Sequence, residues 1–140
     1  MKTVIYPEEN NKLSIMAILD EKTPIEETVR KSVPENVPYT VVENLQLDPE
    51  FLDCYEYRDG QAVINYEWAK EIQKNKWRQL RKPILEKLDV EFMKALETGN
   101  NNKVQEIGSQ KQELRDVTKT LLIDNLDDIK NAMPNILQTL

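Results

Sequence analysis

Apolar and polar positions change period once along the chain, near Tyr66. Before it, short runs alternate or are uniformly apolar, which is the pattern of strands. Thr3 to Tyr6 predicts a strand stopped by Pro7, and Glu8 to Asn11 a turn. Leu13 to Leu19 predicts a second strand, close enough to the first to form a hairpin. Thr23, Pro24 and Glu26 have the spacing of an N-cap, a first helical residue and a capping-box partner. Ile25, Val29 and Val33 then follow at helical spacing up to Pro34. Pro38 to Glu43 predicts a third strand, and Asp48-Pro49-Glu50-Phe51 a helical turn. Asp53 to Tyr57 and Gln61 to Asn65 flank Asp59-Gly60, a strong signal for a tight hairpin.

After Tyr66 the period is helical. Trp68, Ile72, Trp77, Leu80, Ile84, Leu88, Phe92 and Leu96 form one stripe over about 30 residues. Pro83 lies inside that stripe, so a kink is expected near residues 79–83. Gly99 to Asn102 ends the helix. A second helix carries Val104, Ile107, Leu114 and Val117, and the short connection folds the two into an antiparallel hairpin. A last short helix over Asp124 to Met133 is stopped by Pro134.

The fold class is therefore α+β. Residues 1–65 form a small mixed β-sheet with one packed helix, and residues 66–140 a kinked antiparallel helical hairpin with a short C-terminal helix. Two helices alone bury little. At about 2 kcal/mol per large side chain, the stripe scarcely offsets the ordering of its residues. Something must cover it: the terminal helix, the β part or a second copy.

Composition changes the picture mainly by exclusion. The 140 residues include no histidine, one cysteine and three scattered glycines. This rules out a Ser-His-Asp or Cys-His nucleophile, an internal disulfide, a cysteine zinc site and a glycine-rich phosphate loop. No catalytic residue, cofactor or metal site is expected, and the chain is not read as an enzyme. The net charge of −6 is local: residues 1–66 carry −7 and residues 67–140 carry +1. A net acidic chain argues against nucleic acid as a partner. No apolar run is long enough to span a membrane or to form a signal peptide, and the lone Cys54 suits a reducing compartment.

Two constellations have both a functional and an ordinary reading, and Cys54 and one charge pair have a structural one. Lys70, Lys74, Lys76, Arg78, Arg81 and Lys82 are either a phosphate-tracking stretch or, interleaved with Glu67, Glu71 and Glu86, a solvated helix face. Tyr55 and Tyr57 share a strand face and are either an exposed patch for a partner or core. Cys54 points away from them and reads as a buried small residue. Counting outward from the turn brings Asp89 and Arg115 within one helical turn of each other, which predicts an ion pair across the hairpin.

The frame of Arg78, Arg81, the Leu88-Asp89 step, the turn at Gly99 and the end at Leu114-Arg115-Asp116 resembles the C-terminal helices of small proteins from tailed phages and prophages. Val33 to Tyr39 and Tyr55-Glu56-Tyr57 are similar to the N-terminal part of the same proteins. The resemblance implies a tail or tail-fibre assembly protein acting by protein–protein contact. Its partner would be a tail or tail-fibre protein, met in the bacterial host cytoplasm during assembly or retained in the virion. The alternative is a virion structural subunit, a homo-oligomer built through the hairpin. Trp77, Leu80, Ile84, Leu88, Phe92, Tyr55 and Tyr57 are the candidate partner-binding residues.

Overall fold

A computed structural model of the chain describes residues 2–20 and 22–138. The protein is α+β, with small antiparallel sheets, a long helix, a second helix packed on it and short helices at the C-terminal end. It divides into two compact units, Met1–Ala69 and Lys70–Leu140.

In the first unit, β1 (Lys2–Pro7), β2 (Leu13–Ala17) and β3 (Thr40–Glu43) form a sheet in the order β2-β1-β3. All its pairings are antiparallel, with Val4 opposite both Met16 and Val41. β4 (Tyr55–Arg58) and β5 (Gln61–Ile64) make a separate antiparallel pair. The single mixed sheet expected from the sequence is thus two antiparallel ones. Each hairpin is closed by its own local turn, and the strand after α1 (Ile25–Ser32) returns to the free edge of β1. Local turns and edge addition need no parallel pairing. The Asp59-Gly60 turn has φ of 52° and 79° at its two central residues, the mirror-type turn that matches strand twist.

β1 is the central strand and is buried on both faces. Val4 packs with Ile18 and with Val29 and Val33 from α1. Ile5 points the other way and has no accessible surface. On that side β4 lies against β1 and β2, and Phe51 and Cys54 are also fully buried. Thr23 does not cap α1. Its hydroxyl donates to the Asp20 carboxylate (2.5 Å), the helix starts one residue later, and Pro24 takes the N-cap position with no side-chain bond. Bonds from Thr23 and from the Lys22 N–H hold the Asp20 carboxyl below its ordinary pKa.

α2 (Tyr66–Glu97) begins on an Asn65 side chain that accepts from the Trp68 N–H, while the Asn65 N–H donates to the Cys54 carbonyl. Pro83 lies inside α2 without ending it. The proline cannot donate to the Gln79 carbonyl. Both residues are exposed, so water reaches that oxygen.

In the second unit, α3 (Asn101–Asp116) starts on the Asn100 side chain, which accepts from the Lys103 N–H. A 3₁₀ turn over Val117–Lys119 follows, then α4 (Leu126–Asn131) and α5 (Asn135–Gln138). Trp77, Leu114, Val117 and Leu137 form the buried centre. The cover demanded by the stripe is the C-terminal segment, since Leu122, Ala132 and Ile136 pack on the same centre as Leu80, Ile84 and Leu88. One acceptor fastens it. The Ala132 carbonyl, at the end of α4, takes the Gln73 amide (2.8 Å) and the Trp77 indole N–H (3.2 Å).

Leu114→Ala should cost about 3 kcal/mol, because the site is completely buried between helices that cannot collapse to fill it. Val90→Ala, at a half-exposed position on α2, should change stability by no more than about 0.5 kcal/mol. Urea unfolding followed by circular dichroism measures both. Equal effects would mean that the buried centre is wrongly placed.

Candidate functional site

The stripe residues divide by depth. Trp77 has no accessible surface and spends its indole N–H inside the chain, so it is not a partner-binding residue. Leu80, Ile84 and Leu88 are half-buried and pack at the edge of the buried centre. Phe92 is half-buried nearer the turn, with the Lys111 ammonium 5.0 Å from its ring centre. The tyrosines also leave the list of surface anchors. Tyr55 is buried, its hydroxyl accepting from the Asp48 N–H (3.0 Å). Tyr57 is half-buried, with its hydroxyl 2.9 Å from the Thr40 hydroxyl. A phenol buried with its polar end satisfied belongs to a core.

The basic stretch is a helix face with internal partners. Lys70 pairs with Asp124 (2.5 Å), and Arg78 with Glu71 (2.7 Å) and Asn75. Arg81 donates to the Leu114 and Arg115 carbonyls (3.3 and 3.1 Å). It therefore caps the last turn of α3, where free carbonyls and the negative helix pole both favour a cation.

The expected Asp89–Arg115 bridge is corrected by one turn. Asp89 pairs with Lys111 at 2.6 Å. The hairpin turns on Asn100, and both residues are eleven positions from it. The turn centre assumed from the sequence lay further along, which displaced the partner to Arg115. Lys111 is well buried for a lysine, held between the Asp89 carboxylate and the Phe92 ring. Asp116 ends α3 with its carboxyl pKa lowered by bonds from Lys119 and Gln112.

One groove on this unit, of about 450 Å³, lies between α2 and α3, with Ile136 of α5 in its lining. Ile84, Leu88, Leu114 and Ile136 give it an apolar lining, and Lys87, Lys103 and Glu91 give it a charged rim. Sequence periodicity found the α2 side of this groove. It missed Ile136, which lies beyond Pro134, where the helical spacing stops. Lys111 was also missed, although its distance from Asn100 equals that of Asp89.

Chemically the groove offers shape, apolar surface and a rim with one more positive than negative charge. No serine, threonine or cysteine is among its lining residues. Among the described residues no three Asp, Glu or Cys side chains converge as a metal site, and no helix is long and apolar enough to cross a membrane. Compared with known proteins, the chain matches no family model, no curated protein and no solved structure.

Two measurements check this geometry. A double-mutant cycle should give Asp89 and Lys111 a coupling of about 0.5 kcal/mol that shrinks with added salt, and Asp89 with Arg115 none. Second, burial first, then the nearby Asp48 charge, pushes the Cys54 thiol up to about 11. A thiol reagent at pH 8 should thus label Cys54 only after unfolding. The raised thiol also sets a sign. The unfolded chain loses this proton first, so the contribution to stability is complete below the ordinary value near 9.0 and is lost as pH rises towards 11.

Proposed function

We propose that the protein is a tail-associated accessory of a tailed phage or prophage, which acts by protein–protein contact to assist folding or assembly of a tail or tail-fibre protein. The observation that carries this reading is the apolar groove between α2 and α3, formed on the stretch of helix in which the resemblance to phage tail proteins lies. The contact surface is the groove edge, where Ile84 and Leu88 lie; Leu80 and Phe92 are half-buried on the same helix, Trp77 and Tyr55 are buried, and Tyr57 is half-buried with its hydroxyl bonded within the chain.

In this mechanism a helical segment of the client seats aliphatic side chains on Ile84 and Leu88. An acidic flank on the client would meet Lys87 and Lys103, exposed on the rim. The client's apolar surface is then shielded from other chains until it is buried in the finished tail. This work would take place in the bacterial host cytoplasm. No chemistry is required, which agrees with a sequence free of histidine and of glycine-rich loops.

The test is co-expression with the tail-fibre protein encoded in the same phage or prophage. The wild-type chain should co-purify with it and raise its soluble yield. Lys87→Glu combined with Lys103→Glu should reduce both without changing the circular dichroism of the accessory. Undiminished co-purification would remove the groove from the interface, and absence of any effect of the wild-type chain on the fibre protein would remove the function.

A further inference from the structure

The groove between α2 and α3 does not end at Glu91. A second cleft, of about 390 Å³, continues it to the hairpin turn and shares Glu91 and Lys103 in its lining. Lys94, Ala95, Thr98 and Asn100 complete that cleft. From Pro83 at one end to Thr98 at the other, α2 rises about 22 Å, the length of a helix of about 15 residues. The two ends differ in chemistry. The end at α5 is aliphatic, with Ile84, Leu88, Leu114 and Ile136. At the turn the neutral polar groups are already engaged inside the chain. The Thr98 hydroxyl donates to the Lys94 carbonyl (3.0 Å), and the Asn100 side chain accepts from the Lys103 N–H (3.1 Å). Charge is what this end offers outward. Lys87, Lys94 and Lys103 line the two clefts against a single acid, Glu91, and Lys94 and Lys103 both lie at the turn end. All three lysines are exposed, and among the described residues none of them makes a salt bridge. The positive pole of α3 adds to them.

We propose that the joined groove takes one amphipathic helix of a partner protein, about four turns long, aliphatic at the end over α5 and acidic at the end over the turn. This rests on the groove being the client surface, and adds the chemistry and the direction of the client's segment. Ile84 and Leu88 stand one turn apart on α2, so aliphatic side chains three or four positions apart on the incoming helix seat against them. Carboxylates at its other end face Lys94 and Lys103, cations that have no ion-pair partner of their own among the described residues. Other ligands match only half of the surface. A nucleic acid satisfies the lysines, leaves the aliphatic end bare and meets Glu91 with like charge. A basic apolar helix covers the aliphatic end and sets cation against cation at the turn.

Fluorescence anisotropy of the full chain with a labelled helical peptide of about 15 residues tests this. The peptide carries leucines at helical spacing in its first half and glutamates in its second. Binding should weaken several-fold when the glutamates are exchanged for lysines, when the leucines are exchanged for serines, and when salt is added. Lys94→Glu should weaken it several-fold and Lys94→Gln less, with unchanged circular dichroism because this side chain is exposed. Direction has its own readout. A nitroxide on the acidic end of the peptide should broaden the amide signals of residues 94–103 more than those of residues 84–88. No binding at millimolar peptide, equal affinity for the lysine peptide, an affinity untouched by Lys94→Glu, or broadening centred on residues 84–88 would each overturn the proposal. So would an oligonucleotide that binds as tightly at the same salt, which would make the lysines a general anion surface. Peptide binding by a chain that has no effect on the tail-fibre protein would remove the phage reading and keep this one, and co-purification without peptide binding would do the reverse.

Discussion

One carbonyl oxygen holds the second unit together. The Ala132 oxygen accepts from Gln73 and Trp77, two donors one turn apart on α2. α4 has six residues and α5 four, far below the length at which a helix persists alone. They exist because they are fastened at their junction and because Ile129 and Leu137 are buried, Leu137 in the centre it shares with Trp77 and Leu114. Dependence runs both ways. Without this segment, Trp77 would face water and the apolar burial of its indole would be lost. The Gln73 amide has no freedom to turn over, since that would set its oxygen against the Ala132 oxygen.

Much of the fold was legible because its signals are local. Asp59-Gly60 specifies a tight hairpin from two residues, and Gly99 to Asn102 stops one helix and starts the next. What is decided at a distance was not legible. Whether five strands make one sheet or two depends on which edges meet, and no residue pattern encodes that. The Thr23 hydroxyl could serve α1 or Asp20, and only the path of the chain decides for Asp20. Pro134 has two meanings, as a stop for α4 and as the lead-in to α5, whose Leu137 N–H donates to the Pro134 carbonyl.

The groove shows the same division. Helical spacing identified the stripe on α2 but could not rank its members by depth. Trp77 lies deepest, while the equally large Trp68 is half-exposed and Leu88 remains at the groove edge. Large aromatic residues attract attention as anchors for partners, yet they bury the most surface in their own chain. The ion pair shows how fine the margin is. A shift of two residues in the assumed centre of the hairpin exchanges Lys111 for Arg115, and with it a shielded lysine for a solvated arginine.

The depth of Trp77 has an optical consequence. The chain holds two tryptophans, and only Trp77 is sealed beneath the C-terminal segment, its indole hydrogen-bonded to the backbone that seals it. Its emission therefore belongs to a rigid, dry environment while Ala132 is in place, and moves to longer wavelength as soon as water enters. Trp68 stays half-exposed and contributes a steady background. The molecule thus carries a built-in fluorescent gauge of whether its own tail is seated, readable in solution without any label.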